Sequence, residues 1–467
     1  MKLKIVFALS FWGLLLIFSC NRDDISFQSP TQLLRFSRDT VFCDTVYNQV
    51  RSETYGVKVY NDEDQDIMIP KISLEKGNSS LYKINVDGKS GTIFTNVPLR
   101  KKDSLFIFVE IAPSISGSSE IIAEDRILFE NPAGNQHINL YSTVQDAEFF
   151  IETVPGTNVI STNTTWTNNK AKIIFGDLTV EDGVTLNIQA GTKVYFHKNS
   201  GMLIGKSATL NVNGDLGTEV TFRGDRNDPK YDTIPKNWNG ISMDIGSNLN
   251  MNYAKVFGGT TGLSLLQTNA VINNTIIHTH QEYGIMAINS VVNSKNLVMN
   301  NCGNADLGIY KGGNYTLTHA TFANYWDFNS TLPGLAIYAT NEYNNGTTTE
   351  FGALSLTLNN SICYTSAQNA IQFKPISGQS FVYQIQNGLL KYNASSAGFV
   401  FDANPNIQSS IQNQDPKFQN YYTEKMNLRV KADSPTKNKG NSSVASTVPL
   451  DIVKVSRTSN PTIGAYQ

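Results

Sequence analysis

Asp225, Asp228 and Asp232 fall within one short stretch, interleaved with Arg226, Lys230 and Tyr231. Carboxylates gathered in an irregular loop are the usual donors for Ca²⁺, which takes oxygen ligands in flexible geometry. The same composition also suits a solvated insertion held by its own ion pairs. His278 and His280 are two residues apart, the spacing that puts both rings on one face of a strand, where they could ligate a metal. No third ligand accompanies them, and stacked or surface histidines are the plainer reading. Between residues 250 and 400 the acids are few: Glu282, Asp306, Asp327, Glu342 and Glu350. A glycoside hydrolase needs two carboxyl groups roughly 5 to 9.5 Å apart. A polysaccharide lyase needs a base of the Lys, Arg, Tyr or His type and a cation to neutralise the uronate carboxylate. Lys311 and Tyr310 have suitable types for such a base, but none of the five acids recurs at a fixed interval, so the pattern assembles no catalytic row.

Aromatic residues offer a different chemistry. Tyr231, Trp238, Tyr325, Trp326 and Tyr343 lie in or beside segments that break the sequence pattern, where loops present side chains for function. Their rings can stack on the faces of sugars or pack the loops that carry them. Apart from Cys20, the cysteines are Cys43, Cys302 and Cys363, too dispersed for a disulfide framework and without an evident partner base. With 37 basic and 39 acidic residues the formal charge is -2, and the longest basic run is Arg100-Lys101-Lys102. Nothing here attracts a phosphate backbone, and nucleic acid is not expected as a partner.

The elements that must position these residues show themselves by repetition. Asn274-Thr275-Ile276-Ile277, Asn296-Leu297-Val298-Met299, His319-Ala320-Thr321-Phe322 and Asn360-Ser361-Ile362-Cys363 begin 22, 23 and 41 residues apart, and Tyr253-Ala254-Lys255-Val256 is a weaker copy 21 residues earlier. Recurrence at this interval marks a solenoid whose units bury their apolar faces against one another. The gap of 41 fits either two intervals or one coil with an inserted loop. Strands of three to five residues joined by Gly, Asn and Asp turns begin near Asp177-Leu178-Thr179-Val180 and suit a parallel coil with several faces, right-handed by the crossover rule. Asparagine tolerates the left-handed backbone at turns and, stacked coil on coil, forms side-chain amide ladders. Asn274, Asn296 and Asn360 are therefore expected to be structural.

The chain starts differently. Lys2 and Lys4 precede a largely apolar run from Ile5 to Phe18, then Ser19-Cys20, too short to span a bilayer and read as a signal segment. Residues 33–147 alternate short strands, such as Tyr55–Tyr60, Tyr82–Val86 and Ser104–Val109, with turns and show no amphipathic helix, which implies an antiparallel sandwich. Residues 146–165 read as a linker plus the first capping turn.

Several segments carry a resemblance. Ser19-Cys20 after the apolar run resembles a bacterial lipoprotein signal, with Phe18 a departure, and Asn21-Arg22-Asp23-Asp24 resembles the surface-export signal of Bacteroidetes lipoproteins. The run from Leu178 to Phe196, the segment from Gly224 to Ile241, and a tail containing Asp415-Pro416-Lys417-Phe418, Asp433-Ser434-Pro435 and Ile463-Gly464-Ala465-Tyr466 resemble right-handed parallel β-helix proteins of pectate-lyase-like fold found among those lipoproteins. The N-terminal strands resemble the immunoglobulin-like modules that precede other domains in them. The resemblance implies an all-β chain: signal peptide 1–19 with Cys20 lipidated, a tether over 20–32, an immunoglobulin-like β-sandwich over 33–147, and a right-handed parallel β-helix over 148–467 with a C-terminal cap from about 415. It further implies an outer-membrane location facing the exterior, a lipid anchor at Cys20, and a carbohydrate-facing scaffold. Fold alone does not confer a reaction. The expected function is non-catalytic binding of glycan or another extracellular ligand, with a polysaccharide lyase or glycoside hydrolase and a structural or adhesive spacer as alternatives.

Overall fold

A computed structural model describes residues 26–48, 50–113, 120–329 and 331–467. The signal segment, Cys20 and Asn21–Asp24 lie outside the described residues. The chain divides into two compact units, Met1–Val144 and Gln145–Gln467. No helix among the described residues is long and apolar enough to cross a membrane.

The first unit is a sandwich of two sheets. One orders the strands Arg35–Phe36, Tyr55–Tyr60, Ser104–Ile111, Tyr82–Val86 and Lys89–Gly91; the other orders Thr40–Phe42, Gln136–Gln145, Glu120–Glu130, Ile67–Leu74 and Ile93–Leu99. Alternate residues point inward, and Val57, Val59, Ile107 and Val109 of one sheet share a core with Ile67, Ile69, Ile127 and Ile138 of the other. Residues 28–32 are not the tether expected from sequence over 20–32. Gln28 bridges to Ile67, and the amides of Thr31 and Gln32 both donate to the Glu63 carboxylate, at 2.8 and 3.0 Å.

The second unit is a parallel β-helix with three strands per coil. The first face runs from Val159–Ile160 through Asp177–Val180, Gly201–Ile204, Gly240–Met243 and Leu263–Leu266 to Ile371–Lys374; the second runs from Thr164–Trp166 to Ile407–Gln408; the third runs from Ala147–Ile151 to Ile411–Gln412. Leu178, Met202, Ile241, Leu263, Ile285, Leu307, Ile337 and Ile371 stack in register down the interior and are all buried. Residues 147–166 prove to be a complete first coil rather than a linker, with Ala147–Ile151 paired to Ala171–Phe175. The solenoid therefore starts just ahead of the position read from sequence.

The sequence repeat marks a turn. Tyr253, Asn274, Asn296, His319 and Asn360 all adopt left-handed backbone, with φ of 48°, 49°, 57°, 53° and 49°, where the chain enters the third face. Thr321 pairs with Ile362, so the interval of 41 is one coil swollen by insertions, including the hairpin Glu342–Phe351. Asn274 donates from Nδ2 to Asn252 Oδ1 and accepts from Asn296 Nδ2, each at 2.8 Å. His319 takes an asparagine's place by accepting from Asn360 Nδ2 at 3.0 Å while its Nδ1–H donates to the Gly464 carbonyl at 3.2 Å. Burial holds its pKa at about 3, so the ring is neutral. Replacing Asn274 by Ala removes two ladder bonds and puts a poor left-handed residue at the turn. The expected loss is about 1–3 kcal/mol, measured as a denaturant midpoint at unchanged slope. Asn274→Gly, which keeps the backbone but not the ladder, should lose less than Asn274→Ala. Equal losses would remove the backbone contribution from the account.

The C-terminal segment is not the cap expected from about residue 415. The last coil is closed earlier by rings, with Phe373 against Phe381, Tyr383 and Phe399, and Phe399 against Tyr392. Residues beyond 415 form a strap along the third face. Phe418, Leu428, Val430, Ile452 and Ile463 cover Val298, Ala323, Ile362 and Leu389 in a separate apolar cluster. The physical reason is the outward side of those strands, which is too apolar to face water uncovered.

Candidate functional site

The outward side of the first face differs from the others. Leu203 pairs in register with Ser242, then Ser264, Met286, Gly308 and Tyr338 on successive coils. Leu203, Leu266, Met286 and Ile288 form the apolar part of a groove of about 440 Å³, and Asp182 and Asp244 also line it. Two coils on, the apolar residues give way to tyrosines. Tyr283 and Tyr310 share a hydrogen bond between their hydroxyls at 2.6 Å with rings perpendicular. The Tyr310 ring lies 5.5 Å from that of Tyr338 and 6.2 Å from that of Tyr343, which the hairpin insertion supplies. Gly308 makes room for this arrangement, since a Cβ there would meet the Tyr283 ring at 2.7 Å.

All four tyrosines are partly exposed. Burial above all, then the bond from Tyr283, pushes the Tyr310 phenol above its ordinary pKa, the wrong direction for a base at neutral pH. Lys311 is paired with Glu350, and Lys374 with Glu342 at 3.3 Å. The cluster thus presents ring faces and hydroxyls beside charges that are already neutralised.

Of the five aromatics singled out in the sequence, only Tyr343 belongs to this cluster. Trp238 is 1% exposed, stacked on Phe196 at 4.2 Å with its Nε1–H donated to the Phe257 carbonyl. Trp326 is buried with its Nε1–H on the Asn329 carbonyl. Tyr325 stacks at 4.0 Å on Tyr421 of the strap, and Tyr231 holds Arg226 at its hydroxyl. Trp238 and Trp326 are thus core residues, while Tyr231 and Tyr325 are half-buried and already engaged by Arg226 and Tyr421. Tyr310 stood out in the sequence only as a type of base, and Tyr283 and Tyr338 did not stand out because all three sit in the strands; their near-even spacing of 27 and 28 residues was the available signal.

The aspartate cluster does not converge. Asp225 accepts from His197 at 2.8 Å, Asp232 pairs with Arg223 at 2.7 Å, and Asp228 pairs with Lys230 at 3.1 Å while capping the short helix that follows. Divergent carboxylates, each already held by its own basic side chain, do not fit Ca²⁺, and among the described residues no three His, Cys, Asp or Glu could hold a metal ion. His278 and His280 also part company. Thr279 has φ 59°, which breaks strand alternation at the corner, so His278 stacks outside on Phe257 at 4.9 Å while His280 is fully buried, its pKa held near 4 by desolvation. The three described cysteines are free and buried, and burial raises each thiol pKa, opposite to what a nucleophile needs. Asp306 is completely buried, and desolvation raises its pKa well above the carboxylate range.

No family model matches the chain, and no curated protein matches it. Among solved structures, the chain is similar to a PapD-like domain of human CEP192, at 10% identity over 28% of this chain and 96% of that one with a TM-score of 0.18. It is also similar to the catalytic domain of a GH87 alpha-1,3-glucanase in complex with nigerose, at 12% identity over 71% of this chain and 82% of that one, with a TM-score of 0.18.

Proposed function

We propose that the chain is a non-catalytic, lipid-anchored surface protein that binds an extended glycan along the tyrosine end of the first face, with no nucleic-acid partner. One observation carries this reading: Tyr283, Tyr310, Tyr338 and Tyr343 bring partly exposed rings and hydroxyls together across adjacent coils. Sugar rings have an apolar C–H side and a hydroxyl rim, and tyrosine offers a matching ring and hydroxyl at small entropic cost. Parallel strands stack about 4.8 Å apart, so successive coils can meet successive units of an extended chain. The Cys20 anchor and exterior location follow from the N-terminal signal pattern and are consistent with binding a glycan outside the cell.

A glycan array probed with residues 21–467 tests the reading. Binding to a defined set of glycans is expected, and Tyr310→Ala should weaken it about ten-fold, or about 1.4 kcal/mol. An array with no binding would favour the spacer alternative. Hydrolysis is the second reading to test, because Asp182 and Asp244 both line the adjoining groove. Release of reducing ends that Asp244→Asn abolishes would replace binding with catalysis.

A further inference from the structure

Two small residues make the groove on the first face. Leu203, Ser242, Ser264 and Met286 follow one another outward on successive coils. Parallel strands stack about 4.8 Å apart, so the serines leave a depression spanning about 14 Å between a leucine and a methionine. The neighbouring column, two residues further along the chain on each coil, runs Gly205, Asp244, Leu266 and Ile288. Only glycine fits at its head, since a Cβ on Gly205 would meet Asp182 Oδ1 at 2.5 Å. Asp182 and Asp244 thus line one end of the groove, and Leu266, Met286 and Ile288 line the other. Its polarity runs along the solenoid axis.

The two carboxylates are not neutralised. Asp182 accepts from the Lys206 amide at 2.8 Å and Asp244 from the Ile245 amide at 2.7 Å, each through Oδ1. Among the described residues neither has a cationic partner, whereas Glu342 and Glu350 at the tyrosine end are paired with lysines. No lysine or arginine lines the groove, and Lys206 itself is exposed and forms no ion pair with either acid. Asp244 is half-buried, so water and salt screen its charge less than they would on an open surface.

We propose that the groove is a site for a small amphiphilic amine, whose ammonium meets Asp182 and Asp244 and whose alkyl or aryl body lies on Leu266, Met286 and Ile288. Charge and lining together select this occupant. An anion would be repelled by both carboxylates. A neutral sugar would lay hydroxyls on aliphatic walls that offer them no hydrogen bonds, and a wholly apolar molecule would desolvate Asp244 without a counter-charge. Large residues at both ends, Leu203 and Met286, suit a small molecule better than a chain running through. The volume of about 440 Å³ is of the size that holds one. The site rests on the groove alone and does not depend on the tyrosine cluster.

Isothermal titration calorimetry of residues 21–467 with octylammonium, octyl glucoside and octanoate tests it, each kept below the concentration at which it forms micelles. The three share a tail and differ in charge. One octylammonium per chain should bind, about ten-fold more tightly than octyl glucoside, and octanoate should not bind. Asp182→Asn together with Asp244→Asn should bring octylammonium down to the affinity of octyl glucoside. Ser264→Leu, which fills the depression from an outward position and keeps both carboxylates, should abolish binding of either. Thermal midpoints close to that of the unaltered protein would show that the variants remain folded. Equal affinity for the three head groups, preference for octanoate, octylammonium binding unchanged in either variant, or uptake of many molecules per chain would each overturn the proposal. Amine binding by a chain that captures no glycan would leave this site standing and the tyrosine reading refuted. Glycan capture by a chain that does not bind octylammonium would do the reverse.

Discussion

Replacing Arg457 by alanine should loosen the C-terminal strap from the β-helix while leaving the coils folded. Arg457 is 1% exposed and donates Nη1 to the Leu450 carbonyl at 2.7 Å and Nη2 to the carbonyls of Gly464 and Ala465 at 3.1 and 2.8 Å. Gly464 also donates its amide to the Asn360 carbonyl and accepts from His319, and the Ala465 amide donates to Thr321 Oγ1 at 2.9 Å. One guanidinium thus gathers the last residues of the chain against the turn ladder. Hydrogen bonds to a charged donor contribute about 1.5–3 kcal/mol each, though not additively, and truncation leaves three carbonyls without it. The expected loss of strap docking is about 3–5 kcal/mol. Limited trypsinolysis should then cut near Lys437, Lys439 and Lys454 well before the coils are attacked, and the thermal unfolding should split into two transitions. Arg457→Lys keeps a charge but cannot reproduce the fork, so it should fall between the two. An unchanged cleavage pattern and a single unshifted transition in the alanine variant would disprove the role.

Asp306 should make the protein less stable as pH rises, and Asp306→Asn should remove that slope. The carboxyl is fully buried beside the Cys302 thiol, and desolvation drives its pKa well above the ordinary value. Between the unfolded value near 3.9 and the raised folded value, the native state holds a proton that the unfolded chain has released. Stability is therefore full below the unfolded pKa and declines by up to about 1.4 kcal/mol per pH unit until the folded value is passed. Asparagine is nearly isosteric with the protonated acid and does not titrate. The stability of Asp306→Asn relative to the native chain should therefore rise steadily from pH 5 to pH 8, as read from denaturant midpoints. A constant difference across that range would show that Asp306 does not hold a proton in the folded state. His280 and His319 act in the opposite sense. Their pKa values are lowered by burial to about 4 and about 3, so the stability they contribute is present above the unfolded value near 6.5 and is lost as pH falls toward those folded values.

The solenoid was legible because its turns need a residue type. The left-handed backbone at this turn restricts which side chains are tolerated, so asparagine returns at Asn274, Asn296 and Asn360, with Tyr253 and His319 in its place on two other coils. The interior stack was legible for a similar reason, since each position must be apolar whichever residue fills it. Strands Ile93–Leu99 and Glu120–Glu130 were missed because their alternation is broken: Ile93 and Ile122 are exposed, Thr95 and Asn96 are exposed in succession, and Asp125 is buried. The Asp225–Asp232 cluster looked like one site because its members are neighbours in the chain. Three separate partners, two of them outside the loop at His197 and Arg223, turn them away from each other.

By itself, the sequence determined the all-β class, the succession of sandwich and β-helix, and the place of the turn ladder. These are properties of local backbone preference and periodic burial, and both act within a few residues. Only the tertiary structure decided which aromatic rings are available. Trp238 and Tyr310 are both large aromatics on or beside first-face strands, yet one is a core residue under an insertion and the other lies on an open face. That difference arises from what neighbouring coils and insertions lay over each ring. It depends on register across tens of residues, and side-chain exposure at a given coil cannot be read from that coil alone.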